Sequence, residues 1–225
     1  IPQHFGQFYN NPNINLSRNG LNSKLEVTLG NQSNVGGFSG VSTSYFSLFY
    51  SPEIKSKSKN RYSKNSKNVF GLYFYNDKEG DFLFRRRAQF SFARHQQLTK
   101  KWNLGLALSG GFHVFGIKPT ASTGAYSATS FDGNSSLLLY SDKIQVGASM
   151  NQFSNSKIKP VSQEITLKRH YYLYAQYLWE KDKLNLLPSA YLKYINIGDP
   201  LSVKKNATMG ISLRAMYGLI MAGAS

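Results

Sequence analysis

Polar and apolar side chains alternate over residues 165–179. Ile165, Leu167, Tyr171, Leu173, Ala175, Tyr177 and Trp179 hold odd positions, with Arg169 among them, and Thr166, Lys168, His170, Tyr172, Tyr174 and Gln176 hold even ones. Successive side chains of a strand point to opposite faces, so a strand with one greasy and one mostly polar face is expected here. Fifteen residues is long beside the roughly 5–6 usual in soluble domains. The same period recurs. Trp102, Leu104, Leu106, Leu108, Phe112 and Val114 oppose Gly105, Ala107, Ser109, Gly111 and His113. Phe82, Phe84, Ala88, Phe90 and Phe92 oppose Arg85, Arg87, Gln89, Ser91 and His95. Segments 144–151, 184–194 and 207–217 alternate in the same way, and none shows a helical period.

The pattern predicts ten strands, at 21–30, 41–51, 68–76, 82–97, 102–116, 133–141, 144–153, 165–179, 184–196 and 206–217, with an eleventh from about Leu219. Small and polar residues facing large apolar ones suit a narrow lumen inside an apolar belt. The connections sort by length. Tight links at 98–101, 141–143 and 180–183 fall at one end. Longer links at 31–40, 117–132, 154–164 and 197–205, and a shorter one at 77–81, fall at the other. Barrels of the outer-membrane type have short periplasmic turns and long external loops. Trp102 and Trp179, the only tryptophans, face outward beside tight turns, as an interfacial aromatic girdle would. The expected fold is therefore an all-β, antiparallel transmembrane barrel of about 10–14 strands. One connection departs from this rule. Glu53–Lys67 is long and basic at the short-turn end, which makes it a periplasmic insertion or the mark of a miscounted strand.

Composition limits the alternatives. Mean hydropathy is −0.37 and no apolar run approaches the roughly 18–20 residues of a membrane helix, which leaves barrels untouched because alternating strands hide from averages. Cysteine is absent, so no disulfide or thiolate–metal bond can form. The chain starts at Ile1 rather than Met, for which a cleaved signal peptide is one explanation. Lys and Arg total 27 against 11 acids, a formal +16, which suits nucleic acid, anionic lipid or an acidic partner. Six of these basic residues, Lys55, Lys57, Lys59, Arg61, Lys64 and Lys67, lie in a low-complexity loop without a hydrophobic face. No catalytic, phosphate-binding or metal-ligating spacing is present. His95, His113 and His170 fall on inward faces and are expected to be hydrogen-bonded interior histidines. The chain is therefore not expected to be an enzyme or to hold a cofactor.

Residues 167–179, LKRHYYLYAQYLW, followed by LLPSAYLKY at 186–194, resemble the late strands of PorP/SprF-type outer-membrane proteins of the type IX secretion system. Arg169, His170, Tyr171, Pro188, Ser189, Lys193 and Tyr194 carry that likeness. QHFGQFYNNPNINLSRNG (3–20), KKWNLGLALSGGF (100–112) and LLLYSDKIQVGASMNQ (137–152) are similar to family segments in the family's order. The family's Asn-Pro-Ala is Asn15-Leu16-Ser17 here, and family chains run several strands further. The resemblance implies residues 1–20 as an N-terminal periplasmic segment and 21–225 as a barrel lacking C-terminal strands. It also implies residence in a bacterial outer membrane, within a hetero-complex of type IX components or a secreted surface protein such as a gliding adhesin.

Three functions are carried forward. The first is a secretion-machine barrel holding a protein partner through the outer loops 117–132 and 154–164, with the basic 55–67 loop meeting an acidic periplasmic partner. Arg85 and Arg87 would then line the lumen, in a salt-bridge network or against a partner segment, and Arg86 would face outward near the outer rim. The second is a narrow anion-selective channel. The third, a soluble nucleic-acid binder, is disfavoured because the aromatics are committed to regular faces.

Overall fold

A computed structural model describes residues 15–21, 23–33, 40–52, 66–119, 124, 126–154, 156–158, 165–195, 207–217 and 220–224. A single 3₁₀ turn, Leu16–Arg18, precedes the strands β1 (Leu25–Ser33), β2 (Ser42–Tyr50), β3 (Lys67–Glu79), β4 (Leu83–Gln97), β5 (Asn103–Ile117), β6 (Tyr126–Tyr140) and β7 (Ile144–Asn151). The chain continues through β8 (Lys157–Ile158), β9 (Ile165–Thr166), β10 (His170–Tyr177), β11 (Trp179–Lys181), β12 (Leu184–Ile195), β13 (Ala207–Tyr217) and β14 (Ile220–Ala224). Eleven strands form one antiparallel meander, β1-β2-β3-β4-β5-β6-β7-β10-β12-β13-β14, and β11 adds to β12; β8 and β9 make a separate small hairpin. Among the described residues no ladder joins β14 back to β1.

The predicted parity of the faces holds. Phe90, Phe92, Leu106, Leu108, Phe112, Leu173, Met209 and Ile211 are exposed on one face. Gln89, Ser91, His95, Ser109, His113, Asp132, Asn134, Ser136, His170 and Gln176 are buried on the other. The described buried side chains are more often polar than hydrophobic, the reverse of a soluble core. That burial needs no second layer, because the sheet curls around its own polar face. Asn134 on β6 donates to Gln89 on β4 at 3.1 Å across β5, and Arg18 reaches Gln176 on β10. Soluble proteins rarely expose an apolar surface of this extent, whereas a membrane covers one.

Several sequence boundaries are corrected. The strand predicted at 165–179 is three pieces, β9, β10 and β11. β10 and β11 keep one register on β12, which sets Tyr177 opposite Pro188, and Pro188 has no N–H to carry the ladder across that point. The expected outer loop 117–132 gives up its second half to strand: β6 starts at Tyr126 and pairs with β5 along its whole length, from Ile117↔Tyr126 to Asn103↔Tyr140. The 154–164 connection contains β8. At 77–81, β3 runs on to Glu79 and turns at Gly80, whose φ of 70° suits glycine. The eleventh strand is β14. Lys55, Lys57, Lys59, Arg61 and Lys64 lie outside the described residues.

Candidate functional site

The polar face is filled at one end by the chain's own N-terminal segment. Asn15 shapes the 3₁₀ turn: its Oδ1 accepts from the Ser17 amide at 2.9 Å. Its Nδ2 donates to the Leu137 carbonyl at 3.0 Å and the Ala148 carbonyl at 3.4 Å, the two halves of one β6–β7 pair. The Ser17 amide also donates to Ser136 Oγ at 2.9 Å, and the Ser17 hydroxyl donates to the Ser136 carbonyl at 3.0 Å. Leu16 packs with Phe49, Val69, Ala93 and Ala107, one each from β2, β3, β4 and β5. Arg18 donates to Gln176 at 2.5 Å and lies 5.6 Å from the Tyr174 ring centroid. The Lys67 ammonium clasps the carbonyls of Gly20, Leu21 and Ser23, and the Gly20 amide donates to Glu26 at 3.1 Å. These contacts touch strands from β1 to β10, so a seven-residue stretch spans the inner face as a plug.

Two glycines make room for it. A Cβ at Gly147 would collide with Asn15 and the Tyr174 ring, and one at Gly105 would crowd His95 and Ser17. All the partners lie near the tight turns Leu98–Trp102, Ser141–Lys143 and Asp182–Lys183, so the plug occupies the short-turn end.

The rest of the interior is a polar network. Asp132 Oδ1 accepts from the Gly133 amide at 2.7 Å and the Ser154 hydroxyl at 2.6 Å. Thr43 donates to Asp77 at 2.7 Å. Arg87 sits beside His113 in the β4–β5 register, within electrostatic reach of Asp132, Tyr73, Tyr75 and Tyr172. His95, His113 Nε2, Ser109 Oγ and Asp132 Oδ2 face the interior without a hydrogen-bond partner. Such a surface suits water or a polar ligand, not a dry core. Among the described residues no three His, Cys, Asp or Glu side chains gather to hold a metal ion.

The predicted site residues scatter over this frame. Lys67 is engaged with the plug. Arg85 pairs with Glu79 at 2.9 Å and lies 5.6 Å from the Phe115 centroid at the loop end. Arg87 joins the interior network and Arg86 faces outward. Arg169 donates to the Phe153 carbonyl at 3.0 Å, fixing the entry to β10. His170 is buried inside, and Tyr171 meets Tyr194 outside, ring tilted against ring with centroids 6.2 Å apart. Pro188 marks the gap in the ladder, and Ser189 bonds Ser212 at 2.6 Å. Trp179 is exposed and Trp102 half-buried, both at the short-turn end. Sequence reasoning noted Asn15 and Ser17 only within a family-like segment, without a role, and missed Arg18, Asp132 and Ser136. The available signal was the run of small residues on the inward faces, which leaves room for a second segment of chain.

A protein-family model described as "Type IX secretion system membrane protein PorP/SprF" matches residues 1–225. No curated protein and no solved structure matches the chain. An all-antiparallel sheet with an apolar outer face and a polar inner face suits a strand-built membrane protein, and with a match over the whole sequence the chain belongs to the PorP/SprF family of type IX secretion system membrane proteins.

Proposed function

We propose that the chain is a non-enzymatic, outer-membrane β-barrel component of the type IX secretion system that holds a protein partner at its loop end. Edges left open in lipid would expose unsatisfied backbone groups, which favours closure of this sheet into a barrel. The observation that carries the attachment reading is the β5–β6 hairpin. Each strand has 15 residues, about 50 Å of rise, against an apolar band of about 25 Å in such barrels, so the hairpin stands clear of the membrane even when tilted. Its outer part carries the exposed Tyr126, Ser127 and Thr129, close to the exposed Phe82. Such a platform suits a secreted surface protein or another secretion component. The plug at the opposite end fits a periplasmic side that is held shut.

The test is a photo-crosslinking residue at Tyr126 or Phe82 in cells with an active secretion system. Adducts with a secreted surface protein or a secretion component support the reading; adducts with lipid alone overturn it.

The basic interior, with Arg18, Arg87 and Lys193 on the inner face, favours a second reading as an anion-selective channel. Planar-bilayer recording separates the two. The plugged structure predicts little steady conductance from the native chain, and a stable anion-selective current would favour the channel.

A further inference from the structure

The outward face of β1–β4 is apolar between two polar levels: Asn68 and Arg94 toward the short-turn end, and a polar row through Arg86 toward the loop end, beyond which lie Ser33, Ser42 and Lys78. Register sets Asn31 beside Ser44, Ser44 beside Asn76, and Asn76 beside Arg86. The row is tied internally: Asn31 Nδ2 donates to Ser44 at 3.3 Å and Arg86 Nε donates to Asn76 at 3.2 Å. It bounds the belt on the loop side. On β4 the next outward cation is Arg94, beside Asn68, and the eight-residue interval covers about 26 Å of strand. Tilted by about 35–45°, that interval spans about 20 Å, close to the apolar band of about 25 Å in a membrane barrel. Arg86 therefore lies at the headgroup level, where an arginine facing lipid costs little.

Directly below the row the surface is notched. Phe46 and Phe74 pair at 6.1 Å between centroids and Phe112 and Phe131 at 5.7 Å, while Ala88 sits between Phe74 and Phe112 in register. The small residue between two aromatic pairs opens a groove of about 990 Å³, lined by Leu29, Phe46, Phe74, Ala88 and Phe112, with Lys78 and Arg86 at its mouth. Arg86 lies 4.8 Å from the Phe84 centroid, which holds its guanidinium plane in place. Its bond to Asn76 uses only Nε, so both Nη groups keep their donors for an anion.

We propose that this groove binds one phosphorylated lipid of the external leaflet, of the lipid A class, with an acyl chain over Ala88 and a phosphate between Arg86 and Lys78. Guanidinium and ammonium are complementary to phosphate, and the notch accepts a chain of methylenes where flanking aromatics would exclude it. The choice of leaflet rests on the loop end being external, as proposed above.

The test is native mass spectrometry of the full chain in a phosphate-free detergent, titrated with bisphosphorylated lipid A, its dephosphorylated form, phosphatidylglycerol and inorganic phosphate. Retention of bisphosphorylated lipid A is expected, weakened about tenfold or more by Arg86→Gln with Lys78→Gln, and separately by Ala88→Phe. Both sites are exposed, so the variants should fold, and heat-modifiability on gels checks this. Equal retention in wild type and both variants, or of phosphorylated and dephosphorylated lipid, overturns the proposal. Binding of inorganic phosphate alone would show an anion site without a lipid groove and also overturns it. Equal retention of phosphatidylglycerol overturns the lipid A assignment while leaving the partner-holding function intact, since crosslinking tests that separately.

Discussion

The Ser17 and Ser136 hydroxyls meet at 2.8 Å, joining residues 119 apart in sequence. The pair binds the plug to the middle of the curled sheet, and β6 needs nothing from it to remain paired with β5 and β7. Ser136→Ala should therefore loosen the plug without unfolding the sheet. The substitution removes two bonds, the hydroxyl pair and the Ser17 amide donation to Ser136 Oγ, and keeps the one to the Ser136 carbonyl, so it should cost about 1–3 kcal/mol of local stability. Hydrogen exchange should quicken at Ser17 and Asn19 while protection of β5 and β6 is unchanged; uniform loss of protection would contradict a separable plug.

Lys67 holds three backbone carbonyls from Gly20, Leu21 and Ser23. Lys67→Met keeps most of the aliphatic stem and removes the donors. Hydrogen bonds to a charged group contribute about 1.5–3 kcal/mol, so residues 20–24 should become sensitive to limited proteolysis in detergent. Unchanged resistance would mean that the clasp does not hold the segment.

Gly147→Val places a branched side chain where Asn15 and Tyr174 already approach. Valine suits a strand, so β7 should survive and the plug should be displaced. Conductance in planar bilayers should rise above that of the native chain, together with loss of Ser17 protection. If protection were lost with no rise in conductance, the remaining interior side chains would themselves close the lumen.

The alternating faces were legible in the sequence, because a period of two survives any detail of register: Gln89 inward and Phe90 outward follow from parity alone. The extent of β6 was not. YSATSFD (126–132) reads as loop by composition, and tertiary pairing overrides it, with β5 supplying the ladder and Ser154 the partner of Asp132. The break after Tyr177 could have been read from Pro188 only once the register was known. The plug left no periodic trace, since one turn held by Asn15 and Ser17 has no repeat to detect. Its complement, the small inward residues Gly105, Ala107, Ser136 and Gly147, was visible, but it suggested only a narrow lumen.

Leu108 is 62% exposed, within the apolar belt. Leu108 is level with Phe92, between the midplane and the Arg94 level, so Leu108→Arg should cost about 1–3 kcal/mol in bilayer refolding, between the midplane and interface costs of a lipid-facing charge. An effect near zero would mean that this face meets water.

The central claim is the sorting of the two faces, and neighbouring residues on one strand test it most directly. Phe90 is 53% exposed and Gln89 5%. The chain has no cysteine, so single Phe90→Cys and Gln89→Cys variants can each carry one fluorophore. In reconstituted vesicles, brominated acyl chains should quench the probe at position 90 strongly and leave the probe at position 89 nearly unaffected. Equal quenching at both, or quenching at 89 alone, would contradict the account.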